Sequence, residues 1–423
     1  MSGKINSIKL QVLQNIAPSK EDLEKIKNGI ADFTKKVGEK IKEEKISAEV
    51  FVGGSYAKDT IIKKDKYDID IFIRFEKDET GDISEITKRI IRDFSFEIVH
   101  GSRDYFNIKI DEGIFLEVVP VKKVKKPESA ENITDLSYFH VKYINKKVKN
   151  KKILDEIKVA KSFCYARNCY GAESYIGGFS GYALELLIYY YKSFEKFLRT
   201  MVKTNDKLII DIEKHYKNKK QVMMDINSSK LHSPIVLIDP TYKQRNALAA
   251  LSPETFEKFK KEAAQFLKSP SLNLFEHEKT DLDKIKKDAD KNSYEFILIE
   301  ADTNRQPGDI AGSKLLKFYR HLNEEIGVYF DVKNNGFNYN KEKTARYFFV
   351  VKSKGDIILD GPKLADEKNL LKFRKKHRNV FTRNKKIHAR EKVDFSIKEF
   401  IENWKIKNAE RMKEMYIDSL RIV

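Results

Sequence analysis

Phe51-Val52-Gly53-Gly54-Ser55-Tyr56-Ala57-Lys58, followed by Tyr67-Asp68-Ile69-Asp70-Ile71-Phe72-Ile73-Arg74-Phe75, is the stretch on which the fold turns. A short apolar run ends in a glycine pair and a serine. A second apolar run then carries two aspartates spaced by one residue. Ile69, Ile71 and Ile73 alternate with Asp68, Asp70 and Phe72, which predicts a strand. Residues i and i+2 of a strand share a face, so the two carboxylates stand roughly 6–7 Å apart on one side. Ionised, they repel unless a cation lies between them. Mg²⁺ takes oxygen ligands and is usually held by one or two carboxylates plus substrate phosphates. Two such ions could activate an attacking hydroxyl and stabilise leaving pyrophosphate. Gly53 and Gly54 permit close backbone approach. Ser55 suits the start of a short helix, where free N–H groups attract anions. Lys58 lies one turn further on and could pair with a phosphate.

A third acid is expected on a neighbouring strand. Glu117 interrupts the apolar run Ile114–Val119, and an unpaired acid there would be costly to bury. Asp111 and Glu112 adjoin Gly113 and read as a hairpin turn.

At 423 residues the chain exceeds one core, and two to four domains are expected. Its net charge of +19 favours a polyanionic partner, with nucleic acid ahead of an anionic membrane surface. No signal peptide is read at Met1-Ser2-Gly3-Lys4. Glu185 and Lys192 interrupt the most apolar stretch, so no membrane span is expected and the reading is a soluble, cytoplasmic protein. Cys164 and Cys169 lack zinc-ligand or disulfide company and read as packed thiols.

Ser19 reads as the cap of a helix carrying Leu23, Ile26, Ile30, Phe33 and Val37. Strands are predicted at 49–52, 68–75, 96–100, 105–110 and 114–121, with a helix at 84–93 capped by Ser84. Helices dominate from 135 to 266, the clearest at 153–167 and at 179–201. Further strands are predicted near Ile209 and at Ile235–Asp239. A second α+β unit follows, with strands at 293–300, 327–335 and 344–352 and a helix at 312–324. Between 371 and 392 cations crowd, among them Arg374, Lys375, Lys376, Arg378, Arg383 and Lys385, with Phe373, Phe381 and His388 interleaved. Overall charge and aromatic spacing favour nucleic-acid contact over a merely solvated face.

Gly54-Ser55 with Asp68-x-Asp70 resembles the signature of the polymerase-beta nucleotidyltransferase superfamily. Phe139-His140-Val141-Lys142, Tyr170-Gly171-Ala172-Glu173, Gly178–Leu187, and Asp239-Pro240 leading to Arg245-Asn246 and Ala250-Leu251-Ser252 resemble the archaeal, class I CCA-adding enzymes. The Gly178–Leu187 string is the specific part. The resemblance implies an α+β multidomain protein: a polymerase-beta-like head (1–134), a helical neck that binds nucleotide (135–266), and an α+β body with a basic, tRNA-binding tail (267–423). It implies addition of C, C and A to the 3′ end of tRNA from CTP and ATP without a nucleic-acid template, with Mg²⁺ as cofactor and the acceptor arm as the part held. Asp68, Asp70 and Glu117 match the metal-binding, catalytic carboxylates, and Gly54, Ser55 and Lys58 the triphosphate-side positions. His140, Lys161 and Tyr170 match contacts to phosphate and sugar, and Arg245 the arginine that helps read the base. Glu117 stands where Asp is more usual, and Lys58 where Arg is common.

Arg245 suits base reading because its rigid fork donates in a fixed geometry. A site accepting C and A but refusing G and U needs donors and acceptors placed together. A poly(A) or oligoadenylate synthase, and a catalytically degenerate tRNA-binding homologue, are the competing readings. A homodimer is left open by the sequence.

Overall fold

A computed structural model describes residues 2–101, 103–277 and 280–423. The chain divides into two compact units, Met1–Glu278 and Lys279–Val423.

The first unit opens with α1 (Ser2–Asn15) and α2 (Lys20–Glu43). Ser19 caps α2 by accepting the Asp22 amide, and Ile26, Ile30, Phe33, Val37 and Ile41 line its buried face at helical spacing. There follow β1 (Ala48–Val52), α3 (Gly54–Ala57), β2 (Tyr67–Phe75), α4 (Ile83–Ile90), β3 (Phe96–Val99), β4 (Tyr105–Asp111) and β5 (Ile114–Lys122). The strands form one sheet in the order β1-β2-β5-β4-β3. β2 and β5 are central and parallel, and all other pairings are antiparallel. One face of β2 and β5 buries Ile69, Ile71, Ile73, Leu116 and Val118 against α2 and α4. Asp68, Asp70 and Glu117 belong to the opposite face by alternation. The α4 cap is Asp82, not Ser84. Its carboxylate accepts the Ser84 amide and so starts the helix at Ile83, two residues earlier than a Ser84 cap would.

Helices α5 (Ser137–Lys147), α6 (Lys151–Ala166), α7 (Gly181–Tyr191), α8 (Phe194–Lys203), α9 (Lys219–Asp225) and α10 (Pro253–Lys268) follow, with a small sheet of β6 (Leu208–Asp211), β7 (Ile235–Asp239) and β8 (Tyr242–Asn246). Phe163, Phe194, Phe197, Phe259 and Phe266 fill their common core. α1 also buries Ile5, Ile8 and Val12 there, although it comes first in sequence. The single helix expected over 179–201 is broken. Lys192 adopts a left-handed conformation (φ 63°) that ends α7, and Ser193 caps α8 by accepting the Lys196 amide.

The second unit begins with α11 (Leu282–Lys291), β9 (Glu295–Asp302), α12 (Asp309–Tyr329), β10 (Phe330–Tyr339) and β11 (Thr344–Ser353). α12 runs beyond the expected 312–324 because Leu315, Phe318, Leu322 and Ile326 keep helical period, and this displaces the start of the strand from 327 to Phe330. Next come β12 (Asp356–Lys363), α13 (Glu367–Lys376), β13 (Val380–Arg383), β14 (Lys386–Lys392), α14 (Ile397–Lys407), α15 (Ala409–Glu414) and β15 (Ser419–Ile422). β10-β11-β9-β15 form one sheet and β12-β14-β13 another.

Candidate active site

Parallel pairing places Asp70 directly across from Glu117, and Asp68 across from Phe115. Lateral neighbours in a sheet project to the same side, so all three acids share the face away from the buried isoleucines. Asn107 of β4 pairs with Glu117 on that face, and its Oδ1 is buried with no hydrogen-bond partner among the described residues. Gly54 fits against the acids. It adopts φ +61°, and a Cβ there would overlap the Asp70 carboxylate. Burial raises the Asp70 pKa above the ordinary carboxylate range, Asp68 pushes the same way, and Lys58 and Lys64 oppose both. Lys66 Nζ approaches Asp68 at 3.7 Å.

The donor set is the oxygen-rich kind that suits a hard divalent cation, and the close backbone at Gly54 and the orphaned Asn107 oxygen fit it. Among the described residues, no three acids, histidines or cysteines converge closely enough to hold an ion by themselves. An ion held there would take its remaining ligands from phosphate oxygens and water.

Beside the acids, Ser55, Lys64, Asp68, Lys161 and Tyr170 line a small hollow. Lys161 of α6 is buried and binds Thr60 Oγ1 and Glu185 Oε1, both at 2.7 Å. Lys58 binds the other Glu185 oxygen at 2.6 Å, and Thr60 Oγ1 donates to Oε1 at 2.8 Å. Glu185 is fully buried, and burial alone would raise its pKa. The two ammonium groups outweigh that and hold it down to about 2. Burial also brings the Lys161 ammonium down to about 8, against the pull of Glu185. Tyr170 packs over Gly181, where a Cβ would stand 2.8 Å from its hydroxyl.

A second cluster gathers on Asp239 at the end of β7. Its fully buried carboxylate takes the Arg245 Nη1 donor at 2.6 Å and His140 Nε2 at 3.0 Å on one oxygen. The other oxygen accepts from Tyr182 Oη at 3.0 Å, and from the Thr241 amide and hydroxyl at 2.8 Å each. His140 stacks on Tyr182 with ring centroids 4.0 Å apart. Burial opposes ionisation of Asp239, but His140, Arg245 and the Thr241 amide hold its pKa well below the usual range. Burial lowers the His140 pKa, Asp239 resists, and Arg245 and Lys58 lower it further.

Sequence reasoning thus named the acids, Gly54, Ser55, Lys58, His140, Lys161, Tyr170 and Arg245, and the structure gathers them around these two clusters. It missed Glu185, Tyr182, Asp239, Thr60 and Asn107 as site residues. The missed signal lay in Gly178–Leu187: Tyr182 and Glu185 sit three residues apart on α7 and so share a face. One anchors the Asp239 cluster, and the other holds the two lysines.

In the second unit, Arg374, Lys375, Lys376, Arg378, Arg383 and Lys385 are all exposed. Asn384 and Lys385 form the two-residue turn of the β13–β14 hairpin with φ of 51° and 59°, lifting a cation to its tip. The interleaved aromatics are half-buried and packed on neighbouring rings. Phe381 stacks on His388, and Phe373 lies 4.3 Å from His377.

The family described as tRNA nucleotidyltransferase, second domain, matches residues 155–276. The second messenger oligonucleotide or dinucleotide synthetase domain matches residues 4–152. A CCA-adding enzyme of Nanoarchaeum equitans is 41% identical over 57% of this chain and 60% of its own length. One of Methanocaldococcus jannaschii is 31% identical over 93% of this chain and 88% of its own. One of Saccharolobus shibatae is 31% identical over 66% of this chain and 64% of its own. A solved cytoplasmic RNA terminal U-transferase superposes with a TM-score of 0.51 at 12% identity, covering 66% of this chain and 99% of that one, and shares the fold. Among the described residues no helix is long and apolar enough to cross a membrane. With a CCA-adding enzyme 31% identical over 93% of its length, the chain belongs to the archaeal CCA-adding enzymes, a family of tRNA nucleotidyltransferases.

Proposed function

We propose that this chain carries out its family's reaction, adding C, C and A to the 3′ end of tRNA from CTP and ATP, through the residues assembled above. The observation that carries this reading is the pairing of Asp70 with Glu117 on one open face, with Gly54 pressed against it. Asp68, Asp70 and Glu117 would hold Mg²⁺, which when bound supplies charge to the reacting phosphate and lowers the pKa of the attacking 3′-hydroxyl. Gly54 brings backbone up to the acids, and Ser55 lines the hollow beside them. Lys58 and Lys161 place two ammonium groups against one carboxylate, an excess of positive charge suited to a triphosphate. Tyr170 closes the hollow, His140 serves the nucleotide's phosphate and sugar, and Arg245 faces the base.

The head, neck and body-with-tail division at 134 and 266, and a grip on the acceptor arm by the exposed cations of α13 and the β13–β14 hairpin, belong to the same reading. A-form RNA is read chiefly by shape and phosphate, which scattered surface cations serve. The test is product analysis with tRNA lacking its last three nucleotides, Mg²⁺, CTP and ATP. The expected product gains CCA and stops. An A-only tail would favour a poly(A)-type polymerase, and no metal-dependent extension would favour a tRNA-binding homologue.

A further inference from the structure

We infer that Asn107 of β4 is a specificity-determining residue for the RNA end. Its side-chain oxygen accepts a hydrogen bond from the 2′-hydroxyl of the terminal ribose whose 3′-hydroxyl attacks. The inference rests on the functional reading above and gives the last sugar of the tRNA a place over β4.

The placement follows from the order of the strands, β1-β2-β5-β4-β3. Gly54 and Ser55 follow β1, Gly54 fits against Asp70 of β2, and Ser55, Lys161 and Tyr170 line the hollow beside the acids. The groups suited to a triphosphate therefore stand on the β1–β2 side of the acid row. Asn107 stands on the other side, paired with Glu117 across β5 and β4. Phosphoryl transfer is in line. The 3′-oxygen bonds the α-phosphorus from the face opposite the leaving pyrophosphate, and the hydroxyl proton passes to water. With pyrophosphate leaving towards β1 and β2, the attacking sugar comes from beyond Glu117, over β4.

Asn107 is equipped for that sugar. Phe106 and Ile108 on either side of it are buried in the core, so Asn107 belongs to the acid face. Its Oδ1 is buried and has no hydrogen-bond partner among the described residues. An acceptor kept without a donor is costly, and one in a folded protein calls for a partner that arrives from outside. The residue as a whole is half-buried, so part of its carboxamide reaches the open face, and the broad χ2 of asparagine lets the oxygen turn there. The neighbouring acids, when ionised, only accept and supply no donor. A ribose 2′-hydroxyl supplies one beside the attacking oxygen, and deoxyribose has none.

The test uses tRNA lacking CCA that ends in ribose or in 2′-deoxyribose, with Mg²⁺ and CTP. kcat/KM for the two ends is measured in the unmodified chain and in Asn107→Leu, which keeps the bulk and removes the acceptor. The vicinal hydroxyl also alters the 3′-oxygen itself, but both proteins share that effect and it cancels between them. The preference for the ribose end should fall about tenfold in the variant, the effect of one hydrogen bond to a polar group. An unmodified chain indifferent to the 2′-hydroxyl would overturn the inference, and this arm needs no variant to fold. A variant slowed equally on both ends, which marks a structural role, would overturn it too. Mn²⁺ binding to the variant should match the unmodified chain; a loss would make Asn107 a metal ligand and contradict the proposal. If the unmodified chain extends neither end, the functional reading itself fails.

Discussion

The acid face of β2 and β5 and the neck around α7 handle charge in opposite ways. On the sheet, Asp68, Asp70 and Glu117 collect negative charge on one side, with Lys66 at 3.7 Å from Asp68 as a loose ion pair. In the neck, one buried carboxylate binds two lysines and another binds an arginine and a histidine. The first region sets three carboxylates on one face of a sheet, and the second ties each buried carboxylate to two basic side chains. A like-charge cluster is a device for binding an ion, whereas a saturated ion pair is a device for geometry.

If that contrast holds, the two regions should fail differently when cut. Asp70→Ala should lower nucleotide transfer by at least about 1,000-fold, on the order of 4 kcal/mol of transition-state stabilisation, while the protein folds normally and binds tRNA as before. Single-turnover extension and filter binding measure the two effects. A variant that retains turnover would put the metal chemistry elsewhere.

Glu185→Gln should act mainly on stability. Removing one member of a buried ion cluster costs about 3–5 kcal/mol. The sign with pH is fixed by the direction of the shift. A carboxyl held at about 2, below its ordinary 4.5, contributes stability that is present above about pH 4.5 and lost as pH falls towards 2. Urea unfolding of both proteins should therefore show a gap near pH 6 that narrows by pH 2.5. A gap that stays constant over this range would show that Glu185 is not the ionised centre of the cluster.

The same contrast explains what the sequence disclosed. Strand alternation puts Asp68 and Asp70 on one face, and the glycine pair with Ser55 about a dozen residues earlier sets them apart from an ordinary solvated strand face. Glu117 was legible because the aspartate pair calls for a third acid on a neighbouring strand. Glu185 and Asp239 were not, since each is a single acid in an apolar run whose partners lie far off in the chain. Lys58 is 127 residues from Glu185, and His140 is 99 from Asp239. The break between α7 and α8 was hidden by continuous apolar spacing, and only the left-handed Lys192 with the Ser193 cap marks it. Arg245, His140, Lys161 and Tyr170 were reached through resemblance. Their residue types alone would have fitted an ordinary helix or loop.

Metal binding tests the central claim most directly. Mn²⁺ in place of Mg²⁺ can be counted by electron paramagnetic resonance in the presence of a non-hydrolysable CTP analogue. The account predicts tight Mn²⁺ binding to the unmodified chain that depends on the analogue and is lost in both Asp70→Ala and Glu117→Ala. Unchanged Mn²⁺ occupancy in either variant would contradict it.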